Sequence, residues 1–222
     1  MAAPTYSMDS RSAGEPLAPE RVAELLENGF PVFGDEILRN YSKLGRHRFP
    51  LEGYHNGMWL AEPIRTLDGV WAQVAKARFP ALVRYVDRYL AGAKLISFSE
   101  LLPGAVIKPH DGVGFGVAMK LLSRRADWPY ERLETYFSGT EYEVLRFHLC
   151  IFSPSNDFSV LGLRCGERQL TWKEGKCVYF DDSKVHEAWN LASSSRLVLI
   201  VDFLKSEFLQ HAKIEQRGTG NG

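Results

Sequence analysis

Of the six histidines in this 222-residue sequence, two stand where strand-like runs end or begin. His110 follows Pro109 and precedes Asp111 and Gly112, and His186 lies just beyond the run KCVYFDD. A lone histidine is usually a surface residue or a hydrogen-bonded core residue. Two imidazoles converging from opposite edges of one β-sandwich, by contrast, bind a divalent transition metal through neutral ring nitrogens. Their company favours the metal, because Arg196 follows at the head of RLVLIVDF. There it alternates with Val198 and Ile200 on one strand face, while Leu197, Leu199 and Val201 take the other. A guanidinium at the rim of an apolar face needs a carboxylate. It can find one in a protein partner such as Asp202, dispense with one at a surface position, or grip a dicarboxylate ligand bidentately. The connection EAWNLASSS is short enough to predict that RLVLIVDF returns antiparallel to KCVYFDD.

These residues need a scaffold, and the hydrophobic pattern supplies one. Residues 1–18 are small, polar and proline-bearing, and read as a flexible tail. Val22, Leu25 and Leu26 give helical spacing over 19–28, after an Ala-Pro start. Helical spacing returns over 67–90, with Pro80 dividing it into two helices. From Ala93 the pattern changes to short β-rich runs, KLISFSELL, LRFHLCIF, FSVLGLRC, KCVYFDD and RLVLIVDF, parted by Gly, Pro, Asn and Ser. The expected fold is mainly β with flanking helices, a meander forming a sandwich or barrel in one domain over 19–208. Residues 112–144, rich in glycine and aromatics, read as a lid insertion over the substrate. Residues 209–222 read as a second flexible tail.

Lysine plus arginine equals aspartate plus glutamate at 27 each, which gives no field to attract nucleic acid or an anionic membrane. Cys150, Cys165 and Cys177 form no CxxC pair, there is no apolar leader, and no 18-residue apolar run occurs. The expectation is a cytoplasmic protein with no nucleic-acid or membrane partner; nothing in the sequence points to a particular oligomeric state.

The ordered motifs SFSELLPGAVIKPHDG, RFHLCIF, TWKEGKCVYFDDSKVHEAWN and SSSRLVLIVDF resemble the aspartyl/asparaginyl β-hydroxylase family of iron(II)- and 2-oxoglutarate-dependent dioxygenases. The resemblance covers about residues 94–208 and reaches back more weakly to Trp59. It implies a double-stranded β-helix (a cupin-like jelly roll) using Fe(II), the co-substrate 2-oxoglutarate and O2. It makes His110 and His186 the iron ligands and Arg196, with Ser99, the grip on the distal carboxylate of 2-oxoglutarate. Arg146 and His148 match a pair in the co-substrate region, Trp59 belongs with them, and Leu101 helps line the pocket. The implied reaction is hydroxylation of an unactivated C–H bond in an amino-acid-like, peptidyl or small-metabolite substrate.

Relatives in the wider class carry a third ligand in a His-x-Asp/Glu pattern, where this chain has Gly112. Asp111, one place early, should face away from a metal on His110 unless a turn there brings it back. The β-hydroxylase family resembles this sequence in having glycine there. A water or chloride in the gap leaves two rivals, a halogenase and a non-catalytic cupin-like binding protein. Weaker signals read as structure: the cysteines as buried residues, Asp181-Asp182 as a turn or as groups orienting the metal ligands.

Overall fold

The computed structural model describes residues 18–43, 47–49, 52–66, 69–112 and 143–208. The two tails and the lid fall outside these residues, save for Ala18, Gly112, Glu143 and Val144 at their borders. In chain order the elements are α1 (Pro19–Asn40), β1 (His47–Arg48), β2 (Trp59–Arg65), α2 (Gln73–Arg78), α3 (Pro80–Tyr89), β3 (Ile96–Leu101) and β4 (Ala105–His110). There follow β5 (Val144–Phe152), β6 (Leu161–Cys165), β7 (Arg168–Leu170), β8 (Cys177–Asp181), β9 (His186–Asn190) and β10 (Arg196–Leu204). Single 3-10 turns, Tyr41–Lys43 and Glu52–Tyr54, flank β1.

The strands form two antiparallel sheets, a major one ordered β1-β2-β3-β10-β5-β8 and a minor one ordered β4-β9-β6-β7. This is a jelly roll, mainly β, with helices on one side. Strand alternation divides its apolar residues into two cores. Leu197, Leu199 and Val201 of β10 join Phe98 of β3 and Phe147 of β5 under the helices. Val198 and Ile200 point the other way, into the space between the sheets, with Leu101, Cys150, Leu163 and Ala188. The facing expected for β10 is therefore observed.

Its neighbours are not those expected. β10 pairs with β3 and β5, and β8 lies beyond β5. The chain changes sheets after β8, so β9 joins the minor sheet and β10 returns to the centre of the major one. A jelly roll, unlike a meander, crosses between its layers, and a short connection sets only the distance travelled.

Two local expectations also need correction. α1 continues to Asn40, well past residue 28, through Gly29, Pro31 and Gly34. Gly29 is required by packing: a Cβ there would lie 2.6 Å from the Tyr85 ring of α3. The added turns place Glu36 at the start of α3, where its carboxylate accepts hydrogen bonds from Ala81 N (3.0 Å) and Leu82 N (3.2 Å), complementing the helix dipole. Strand β2 went unread because Pro63 lies inside it; the register with β3 shifts after that residue. The division at Pro80 holds, with α2 ending at Arg78 and α3 beginning at the proline. No helix among the described residues is long and apolar enough to cross a membrane.

Candidate active site

His110 ends β4, His186 begins β9, and the two are direct cross-strand partners. Their ring centroids are 4.3 Å apart. Pro109 has no N–H to give, and the pairing register shifts between Ile107 and His110, which frees the end of β4 to turn its histidine inward. Each Nδ1 lies 2.8 Å from a carbonyl two residues earlier, Lys108 O for His110 and Lys184 O for His186. A carbonyl only accepts, so each neutral ring carries its proton on Nδ1 and leaves the Nε2 lone pair available. Burial, reinforced by His110, pulls the His186 pKa down to about 3, so its imidazole is neutral at physiological pH. Neutral imidazoles with fixed tautomers are metal ligands in waiting. Among the described residues no group of three or more His, Cys, Asp or Glu side chains converges to hold a metal, so the protein's donor set there is this pair.

The remaining described histidines differ. His55 uses both ring nitrogens, Nε2 with Phe49 O (2.8 Å) and Nδ1 as acceptor from Gly57 N (2.9 Å), and is structural. His47, on the edge strand β1, is 3.9 Å from Glu62.

Beside His186 stands a buried cluster of charge. Asp182 Oδ1 is 3.5 Å from His186 Nε2 and accepts a hydrogen bond from Arg146 Nη1. Arg146 also donates bidentately to Asp202, from Nε at 2.9 Å and Nη2 at 2.8 Å. One guanidinium thus serves two buried carboxylates. Burial pushes both carboxyls above their ordinary values, Asp202 to about 6, against the pull of Arg146; repulsion adds to the shift, from Asp182 at Asp202 and from Asp181 and Asp111 at Asp182. The same cluster explains Gly112: a side chain at that position would collide with Asp182 Oδ2. Where wider relatives put a carboxylate on residue 112, this fold puts the carboxylate of Asp182 alongside. Asp111 is exposed. Asp181 makes the turn, accepting from Ser183 N (3.1 Å) and Ser183 Oγ (2.6 Å).

Arg196 is also buried, at the opposite end of β10 from Asp202. Asp202 is committed to Arg146, so it does not serve Arg196. Arg196 Nη1 donates to Ser99 O at 3.2 Å, and its Nε has no hydrogen-bond partner among the described residues. The guanidinium carbon sits 4.2 Å from the centroid of the Trp172 ring, a cation–π contact. Burial lowers its pKa to about 9, so it remains cationic at neutral pH. Ser99 Oγ accepts from Trp59 Nε1 at 3.0 Å, and Leu101 is the β3 partner of Arg196. His148 Nδ1 is 3.4 Å from Trp172 Nε1, while its Nε2 is buried with no partner among the described residues. Burial and the nearby Arg196 hold His148 neutral.

A histidine pair, an adjacent carboxylate and a buried arginine with no carboxylate hydrogen-bond partner among the described residues now have a family to be set against. The family model for aspartyl/asparaginyl β-hydroxylases matches residues 22–206. The chain belongs to the aspartyl/asparaginyl β-hydroxylase family. Similar proteins include an ornithine lipid ester-linked acyl 2-hydroxylase of Rhizobium tropici, 46% identical over 63 residues, which are 28% of this chain and 22% of that protein. The human aspartyl/asparaginyl β-hydroxylase is 47% identical over 58 residues, 26% of this chain and 7% of that protein. The matched segments are thus under a quarter of these relatives' lengths. Among solved structures, a Pseudomonas putida prolyl-4-hydroxylase superposes over 82% of this chain and 87% of its own with a TM-score of 0.44 and 16% identity. A predicted oxalate decarboxylase of Thermotoga maritima covers 73% of this chain and 95% of its own, with a TM-score of 0.37 and 13% identity.

For this β-hydroxylase family member, the structure brings His110 and His186 together, and places Arg196, Ser99, Trp59 and His148 between the sheets. Arg146 is bound to carboxylates. Sequence reasoning missed Trp172, whose signal was faint: a large aromatic among Thr171, Lys173 and Glu174 in a turn where a polar residue would suffice.

Proposed function

We propose that this chain is an Fe(II)- and 2-oxoglutarate-dependent hydroxylase acting on an unactivated C–H bond, with His110 and His186 as the protein ligands of iron. The observation that carries the reading is Arg196: a cation buried between the sheets, which among the described residues has an unpaired Nε and no carboxylate as a hydrogen-bond partner. Leaving such a group unmatched costs several kcal/mol by order of magnitude, so the site is built for an anion. The donor set fits a 2-oxo dicarboxylate, one end for a metal and the other for a guanidinium. Iron bound there, with 2-oxoglutarate and O2, supplies an oxidant that removes hydrogen from carbon and returns hydroxyl, releasing succinate and carbon dioxide. The chain's own part is placement. Lys108 O and Lys184 O fix both imidazole tautomers, Arg196 grips the far carboxylate, and the apolar lining of Leu101, Val198 and Ile200 excludes water.

Asp182 argues against the halogenase alternative, because a buried carboxylate 3.5 Å from His186 Nε2 opposes a chloride beside the metal. The substrate is an amino-acid-like, peptidyl or small-metabolite molecule; an acyl ornithine lipid joins the panel because one relative is named for it. The test loads protein with Fe(II) under nitrogen, adds 2-oxoglutarate and then air, and measures succinate against a panel of aspartyl peptides, free amino acids and acyl ornithine. Succinate matched by a product heavier by one oxygen is the expected result, and chloride should leave the product mass unchanged. His110→Ala and His186→Ala should each abolish specific Fe(II) binding; unchanged metal affinity in either would remove that residue from the site.

A further inference from the structure

We infer that Trp172 is a positioning residue that aims two buried donors at one anionic group: its ring face holds the Arg196 guanidinium, and its indole N–H sets which nitrogen of His148 carries the proton. The inference deepens the reading of Arg196 as a carboxylate clamp and rests on it.

Trp172 lies between β7 and β8 and is only 1% exposed. The Arg196 guanidinium stacks on the indole at 4.2 Å. This contact matters more than usual, because the guanidinium has one hydrogen bond to Ser99 O and no carboxylate to fix its plane. The same indole lies nearly parallel to His148, with ring planes 15° apart, and its Nε1 is directed at His148 Nδ1. An indole nitrogen only donates. His148 Nδ1 must then accept, and the single proton of the neutral ring sits on Nε2. That Nε2 is buried without a partner among the described residues, as is Nε of Arg196. Both are thus N–H donors, carried by the adjacent strands β5 and β10. Without the indole N–H, the proton on His148 would be free to move to Nδ1. Nε2 would then offer a lone pair to the space a carboxylate should occupy, and the donor would become a repeller.

Two substitutions separate the roles. Trp172→Phe keeps an aromatic face for Arg196 and loses the N–H; Trp172→Leu loses both. In protein loaded with Zn(II) and labelled with 15N-histidine, NMR should show His148 as the Nε2–H tautomer alone in the wild type and as a mixture in Trp172→Phe. Calorimetry on the same Zn(II) protein should show 2-oxoglutarate binding weakened roughly 3- to 10-fold in Trp172→Phe and more in Trp172→Leu, up to about 30-fold, with Zn(II) affinity unchanged. With Fe(II), KM for 2-oxoglutarate should rise while kcat at saturation is held. A Trp172→Phe protein that keeps one tautomer and wild-type affinity overturns the inference, and this variant decides the matter even if Trp172→Leu fails to fold. A wild type that binds no 2-oxoglutarate while Trp172→Phe still mixes the tautomers of His148 overturns the proposed function and supports the role of Trp172.

Discussion

Arg146 and Arg196 lie on neighbouring strands of one sheet, both buried in the barrel, in opposite surroundings. Arg146 has more negative charge around it than it can neutralise, two carboxylates for one cation. Arg196 has an aromatic face, one carbonyl and an unpaired Nε. The first arrangement is held within the protein and ties β5, β10 and the turn after β8 together beside the histidines. The second, on the proposed function, is completed by the far carboxylate of 2-oxoglutarate. Buried charge therefore has two uses in this molecule, and the partner set tells them apart where burial alone does not.

If that distinction is right, the two arginines should respond oppositely to replacement. Arg146→Leu strands Asp182 and Asp202 and should cost about 3–5 kcal/mol of stability, measured by urea unfolding of the metal-free protein. Adding Asp202→Asn should recover part of the loss. Arg196→Leu should cost about 1 kcal/mol or less, or even stabilise, since it removes a cation matched by no carboxylate. The reverse order would dissolve the contrast.

Ligand binding should invert the ranking. Arg196→Leu should weaken 2-oxoglutarate binding by at least about 2 kcal/mol, roughly 30-fold, with metal affinity unchanged. Calorimetry showing the wild-type dissociation constant would put the co-substrate elsewhere.

Glu62, a buried acid on β2, adds a third case. Its Oε2, 3.9 Å from His47 Nε2, has no hydrogen-bond partner among the described residues, and burial lifts its pKa from 4.5 to about 7. A carboxyl raised in the folded state keeps a proton that the unfolded chain has released, so stability falls as pH rises from about 4.5 through 7 and then levels. Glu62→Gln should flatten that slope and raise stability at pH 8 by roughly 1–2 kcal/mol, read from melting curves across pH. A variant with an unchanged slope would assign the pH dependence to other groups.

The sequence disclosed these sites unevenly, for a physical reason. Facing on β10 was readable because alternation is local: residues two apart share a side, and Arg196, Val198 and Ile200 do so. His110 and His186 stood out as strand-end residues, and the helix break at Pro80 follows from one missing N–H. Pairing is different. Which carboxylate meets which arginine depends on β5 lying beside β10, and the Arg146–Asp202 contact joins positions 56 residues apart. Asp202 sits on the same strand as Arg196 and is one of the partners the sequence leaves open to it; only the sheet order hands it to Arg146. Trp172 was invisible for the same reason, since nothing near it in the chain announces that Arg196 and His148 will close around its ring.

The central place of β10 also bears on how the molecule is made. Its pairs with β3 join residues on the order of 100 positions apart, so a long loop must close before those contacts return any free energy. Until then β3 and β5 are bare edges, and Leu197, Leu199 and Val201 have no core to enter. Folding should be slow, on the millisecond-to-second scale of non-local β topologies, with its greatest hazard of aggregation just before β10 docks. A chain stopped before residue 196 would hold both histidines, yet it would lack the strand that seals the sheet and carries Arg196.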